Sequence, residues 1–302
     1  PVGTPRFSRL VDLFSDRTRM RVWWRGGNDA RVSVVTTGGE TGYHVDGAGR
    51  WTWSYEDERA VLSPRRPLEL PAAPDLLPSS LGRRLLSEAA DDELSRTAPR
   101  RVAGRDALGL RVTPAAEASS VDRVDVWVDR DSGLPLQVRV YAGGAEVPAL
   151  DTRFLDVELA DPGAASTRFT PAPGVRVSFD DADRVLGRAG RRPLQAELPD
   201  RLAGLTRRTL LGAPTAVGLY GSGVTLLAVV PVSEGLALDV AQSLRDAPGA
   251  VAEGRSVRAT AGPLGLMVLN PPGHHAFLVT GTVTLEALAA AADGLRPALG
   301  DR

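Results

Sequence analysis

Asp129, Asp131 and Gly133 stand in the D-x-D-x-G order that can open a calcium loop, inside VDVWVDRDSGLPLQVRVYA (124–142). An EF-hand loop starting at Asp129 needs an acidic or amide ligand at 133 and a bidentate glutamate at 140, where this chain has Gly133 and Val140. Calcium therefore lacks its ligands. Val124, Val126 and Val128 alternate instead with Asp125, Trp127 and Asp129, and Leu136, Val138 and Val140 alternate with Gln137, Arg139 and Tyr141. That period of two predicts a β-hairpin with Asp-Ser-Gly at its turn.

The other residues with chemical potential are read the same way. Ser222 in YGSGV has Tyr220 and Val224 where a nucleophile elbow needs glycines. Neither GAGRWT (47–52) nor GSGVTL (221–226) completes G-x-G-x-x-G, and a Gly-Lys-Ser/Thr cradle is ruled out in a chain without lysine. His44 lies in a strand-like segment, and His274 and His275 are adjacent, so on a strand they would face opposite ways and not share an ion. The acidic runs DDE (91–93) and DDAD (180–183) read as solvated charge. No metal and no cofactor are expected. Without Cys, Lys or a convincing Ser–His pair, most covalent catalysis is excluded. Paired-carboxylate hydrolysis alone stays open from sequence, and the expectation is a protein that is not an enzyme.

The elements that would hold such residues follow from composition and pattern. The chain has 302 residues, enough for two cores. All 36 basic residues are arginine and the formal charge is −1, so no one-sided basic surface is available and nucleic acid is not an expected partner. Zero cysteine excludes disulfides and thiolate metal sites. No apolar run approaches the roughly 18 to 20 residues of a membrane span. PVGTPRFSRLVDLF at the start shows no charged-then-apolar pattern, so any signal or anchor is expected to have been removed ahead of residue 1.

FSRLVDLFS (7–15) places Phe7, Leu10, Val11 and Phe14 at helical spacing. Strand-like runs follow at 19–25, 30–37, 41–46, 50–56 and 59–64, close enough for an antiparallel meander. LLPSSLGRRLLSEAADDEL (76–94) predicts a helix capped by Ser79 or Ser80. Strand alternation returns at 100–115, in the hairpin above and at 149–161. The stretch 169–200 mixes Pro, Gly and charge without a period, which puts a boundary inside it: one domain over 1–177, a linker over 178–195 and a smaller α+β domain over 196–302. In that second domain 215–232 and 255–282 read as strands, 234–247 as a helix, and Thr284 as the cap of a last helix.

All five tryptophans (Trp23, Trp24, Trp51, Trp53 and Trp127) fall in the first domain and on strands. Trp51, Trp53 and Tyr55 share one face by the period of two, whereas Trp23 and Trp24 point to opposite faces. Such a sheet either packs both faces on other layers or keeps one as a concave apolar groove.

The segments RVWW, ARVSVVTTGGETGYHVDGAGRWTWSYEDERA, RVAGRDALGLRVTP and VDRVDVWVDRDSGLPLQVRVYAGG resemble the LolA-like lipoprotein carriers and the related MucB/RseB-type sigma-E regulators, over about residues 18 to 175. GHHAFLVTGTVTLEALAAAADGL (273–295) is more loosely similar to the regulators' second domain. The resemblance implies an α+β fold, a curved antiparallel half-barrel covered by helices and followed by a smaller α+β domain. It implies an exported or membrane-anchored, extracytoplasmic protein, and family members carry an anchor or signal, a helix and a first strand ahead of the part matching PVGTP. Its expected ligand is a lipid or lipoprotein acyl chain, with an anti-sigma factor's extracytoplasmic segment as the alternative partner. The residues expected to line the groove are Trp23, Trp51, Trp53, Tyr55, Leu110, Val112, Trp127 and Phe154.

Overall fold

A computed structural model describes residues 17–27, 29–36, 38–47, 49–63, 73–179, 197–210 and 213–298. The expected helix at 7–15 and most of the expected linker lie outside the described residues. By contact density the chain forms two compact units, one from Pro1–Leu76 with Val157–Ala182, the other from Leu77–Asp156 with Asp183–Arg302.

The first unit is built on a six-stranded sheet. Strands β1 (Arg19–Gly26), β2 (Asp29–Thr36), β3 (Gly39–Asp46), β4 (Gly49–Ser54) and β5 (Arg59–Ser63) form an antiparallel meander, as the closely spaced turn signals require. β11 (Arg176–Phe179) returns from far along the chain and adds to β5 in parallel. A one-turn helix, Ala164–Thr167, precedes it and packs on β1 and β2.

The second unit holds a five-stranded sheet in the order β10-β9-β8-β7-β6, with β6 (Leu94–Val102), β7 (Arg105–Val112), β8 (Val121–Asp129), β9 (Pro135–Ala142) and β10 (Leu150–Arg153). The stretch 100–115, where strand alternation is expected from sequence, holds the turn of the β6–β7 hairpin. Ala103 and Gly104 both take positive φ, 50° and 75°, and reverse the chain between β6 and β7.

Helix α1 (Pro78–Glu88) covers one face of this sheet. It begins at Pro78 rather than after a serine cap, since proline's fixed φ suits the first helical position. Leu81 and Leu85 bury against Val112, Val124, Val126, Val138 and Val140. Gly82 permits the close approach: a Cβ there would lie 2.6 Å from the Pro135 side chain.

The same unit contains a second six-stranded sheet, ordered β14-β15-β19-β18-β17-β16. Its strands are β14 (Gly218–Ser222), β15 (Thr225–Val232), β16 (Val251–Glu253), β17 (Ser256–Ala261), β18 (Leu264–Leu269) and β19 (Ala276–Gly281); the small hairpin β12 (Arg201–Leu202) and β13 (Leu205–Thr206) lies ahead of them. Two helices pack on this sheet. Glu234–Arg245 starts at Ser233, whose Oγ accepts from Leu236 N at 3.3 Å, and Leu285–Leu295 at Thr284, whose Oγ1 accepts from Ala287 N at 3.1 Å. Tyr220, Leu227, Phe277, Leu288 and Leu295 centre its core. Among the described residues no helix is long and apolar enough to cross a membrane.

Candidate functional site

The register of the first sheet lines side chains up across its strands. One row runs Trp23, Arg31, His44, Trp51, Leu62, Phe179, through all six strands, and a second runs Arg21, Ser33, Gly42, Trp53, Ala60, Val177. Directly paired residues project to the same side. Trp23, Trp51 and Trp53 therefore share one face, and Trp24 lies on the other, 44% exposed.

Phe169, from the segment after the short helix, sits over the middle of these rows. Its ring centroid is 4.7 Å from His44, 5.4 Å from Trp51 and 6.1 Å from Trp53, all tilted contacts. Tyr55 lies just past β4 and meets Trp53 edge-on at 5.5 Å. Such pairs each add about 0.5–1.5 kcal/mol beyond area burial. Gly42 leaves the space between His44 and Trp53: an added Cβ would lie 3.3 Å from His44 Nε2 and 3.7 Å from Trp53 Cβ.

Polar groups fix the cluster from beneath. Trp51 Nε1 donates to Asp46 Oδ2 at 3.0 Å. His44 Nδ1 lies 3.1 Å from Thr167 O, and a carbonyl only accepts, so the proton sits on Nδ1. Burial is the main cause that pushes His44 below the ordinary imidazole range, with the Thr167 carbonyl opposing it and Arg31 assisting. Arg31 stacks its guanidinium 4.8 Å from the Trp23 ring centroid and reaches toward the Tyr55 hydroxyl.

The cluster is only half covered. Trp23, Trp51, Trp53 and Phe169 are half-buried and Tyr55 is exposed. At the β11 end the same face carries Val177, 46% exposed, and Phe179, 73% exposed. β11 is a terminal strand of its sheet, so among the described residues its outer backbone groups have no strand partner.

The remaining expected groove residues lie in the second sheet, on different faces. Val112 is buried under helix α1, and Leu110, half-buried, shares its face through the pairing Leu110–Val126–Val138. Trp127 projects from the opposite face, 6% exposed, with the guanidiniums of Arg100 and Arg139 4.8 and 5.5 Å from its ring centroid. Phe154 follows β10 and lines a small pocket on that same polar side.

The opposite face of the second sheet is a ladder of charge. Arg111 grips Asp125 at 2.6 and 2.9 Å, Arg105 grips Asp129 at 2.8 and 3.0 Å, and Arg139 meets Asp151 at 2.9 Å. Asp129 also accepts from Ser132 N at 2.9 Å and Ser132 Oγ at 2.5 Å, which builds the hairpin turn at Gly133. The Arg105 guanidinium, followed by these serine contacts, holds its carboxyl far below the usual carboxylate range. The D-x-D-x-G motif thus locks a hairpin.

Phe169 and the β11 pair Val177 and Phe179 escape sequence reasoning, because they lie in a stretch, 169–200, that lacks a sustained period over its length. In retrospect, alternating Val175, Val177 and Phe179 in GVRVSF is the available signal.

No family model matches the sequence, and no curated protein matches it. Among solved structures the chain is similar to MucB in complex with MucA(peri), at 18% identity over 92% of this chain and 87% of that one, with a TM-score of 0.50. It also resembles MucB alone (19% identity, 93% and 87% covered, TM-score 0.47) and the Pseudomonas aeruginosa MucA/MucB complex (18% identity, 95% of each chain, TM-score 0.43). The fold is the α+β one that the resemblance to MucB/RseB-type proteins implied.

Proposed function

We propose that the protein is a non-enzymatic, extracytoplasmic binding protein whose first sheet receives an extended apolar segment of a protein partner, the extracytoplasmic part of an anti-sigma factor. The observation that carries this reading is the aromatic face that continues, row by row, onto the terminal strand β11 with Val177 and Phe179 exposed. A partner strand laid along β11 gains main-chain hydrogen bonds, and its alternate side chains fall beside Val177 and Phe179, at the edge of the face that holds Trp51 and Trp53. MucB, whose structures with MucA share this fold, supports that class of partner.

A second reading takes the same face as the seat of a lipid or lipoprotein acyl chain. Half-exposed Trp51, Trp53 and Tyr55 favour it, since burial at about 25 cal/mol per Å² needs no polar anchor. Both readings use the face of the first sheet that carries Trp23, Trp51, Trp53 and, just past β4, Tyr55, whereas Leu110, Val112, Trp127 and Phe154 belong to the second sheet.

A photo-crosslinker at position 179, activated in cells of the source organism, tests the choice. The expected product is a single adduct to a membrane-bound anti-sigma factor, retained with delipidated protein and lost in Trp51→Ala. A stoichiometric lipid in the solvent extract of the parent protein, missing from Trp51→Ala, with no protein adduct, would transfer the assignment to acyl binding.

A further inference from the structure

Beside Trp127 the second sheet carries a pocket of about 170 Å³ lined by Arg100, Arg101, Val102, Ala103, Gln137, Arg153, Phe154 and Leu155. Three of these are arginines and none is acidic. A bulge in β6 between Thr97 and Arg100 builds one wall. It brings Ala98 O to 3.0 Å from Trp127 Nε1, and it turns Arg100 onto the indole face. Arg153 stands directly across from Gln137 in the β9–β10 register.

Two of the three charges here are not neutralised. Among the described residues neither Arg100 nor Arg153 has a carboxylate partner, and Arg101 is 3.8 Å from Asp106 at the exposed rim. A larger pocket of the same unit, about 410 Å³ and lined by Glu88, Glu93, Arg207 and Arg208, differs in this respect. There Glu88 takes Arg208 at 2.9 Å and Gly223 N at 3.2 Å, and Glu93 takes Ala90 N and Ala115 N.

Gln137 adds a second, independent feature. It is 0% exposed, and its Nε2 donates to Asp151 at 2.5 Å. A carboxylate accepts only, so the amide orientation is fixed and Oε1 is the other end. Oε1 is buried without a hydrogen-bond partner among the described residues. Buried acceptors are almost always paired, by protein or by a bound group. The pocket thus combines cations that call for an anion with a buried acceptor that calls for a donor.

We infer that this pocket binds a phosphate group that still carries a proton, as inorganic phosphate does at neutral pH. Arg100 and Arg153 take the charged oxygens, and Gln137 Oε1 accepts from the P–OH. Sulfate has the same shape and charge but no proton to give, so it satisfies the arginines and leaves Oε1 unpaired. The site discriminates between the two anions by that one hydrogen bond. It is separate from the aromatic face of the first sheet and does not depend on how that face is used.

The test follows the indole N–H resonance of Trp127, assigned with Trp127→Phe, while the whole chain is titrated with phosphate or sulfate at pH 7 and fixed ionic strength. The expected result is a saturable shift with phosphate, with sulfate weaker by about tenfold or more. Arg153→Gln, an exposed position, weakens phosphate about tenfold with an unchanged thermal midpoint. Gln137→Met brings the two anions to equal affinity. Equal affinities for the parent, no saturable shift with phosphate, or binding indifferent to Arg153→Gln would each overturn the assignment.

Discussion

In the first sheet Trp51 and Trp53 stand beside Phe169 with part of each ring in solvent, whereas in the second Trp127 is 6% exposed beneath Arg100 and Arg139. Both sheets put tryptophan on alternating strand positions. They differ in what surrounds the ring. Neighbours at Trp127 are Asp125, Asp129, Gln137 and Arg139, so the ring is a spacer within a charge ladder, closed by cation–π contacts. Neighbours at Trp51 are His44 and Leu62, and the row ends in exposed Phe179. The Trp51 row opens to solvent at Phe179, whereas charged side chains close over Trp127.

The strongest way to break this contrast is to attack the settled sheet. Leu85→Ala removes the helix α1 side chain buried at 2% and should cost about 3 kcal/mol in denaturant unfolding of the second unit. A cost below about 1 kcal/mol would mean that α1 is not what closes that face. Arg105→Met leaves Asp129, 2% exposed, without its bidentate partner and should cost about 2–3 kcal/mol. Pairing it with Asp129→Asn in a double-mutant cycle should recover most of that loss, because the uncompensated charge is then gone.

Acid should separate the two sheets in order. His44 has a lowered pKa when folded, so the unfolded chain binds more protons just below 6.5. Its contribution is whole above 6.5 and is lost as pH falls from there toward the folded value, when the imidazolium is forced against Phe169 and Arg31, with Asp46 the nearby acid. Asp129 is also lowered, from 3.8, so its contribution is whole above 3.8 and fades only below it. Tryptophan fluorescence should therefore report loosening of the first sheet as pH falls below about 6.5, while the second persists to about pH 4. His44→Gln should remove the first step alone. The smallest effect belongs to Phe179→Ser, which should leave stability within about 0.5 kcal/mol and still abolish partner crosslinking from a neighbouring position.

Much of the architecture could be read from local pattern. The meander 19–64, the hairpin at 124–142 and both caps at Ser233 and Thr284 are encoded by alternation, turn residues and capping chemistry within a few residues of each other. What escaped is non-local. Nothing near residue 176 announces that Arg176–Phe179 will pair with Arg59–Leu62, and nothing near Phe169 says that it will cover Trp51. The sequence also puts Trp127, Leu110 and Val112 in one apolar set. Sidedness depends on register between strands, and alternation within one strand cannot decide which of its two faces receives the helix.

The hydrogen bond that the Arg59 guanidinium donates to Ser178 Oγ joins residues 119 apart, and the whole of the second sheet falls between them in the sequence. A chain made from its amino end therefore presents the whole sheet of residues 94–153 before the earlier one can receive its last strand and Phe169. Closing so long a loop is slow and comes late. Between those moments the aromatic rows stand open without a cover, and the aromatic face is the last part of the first sheet to mature.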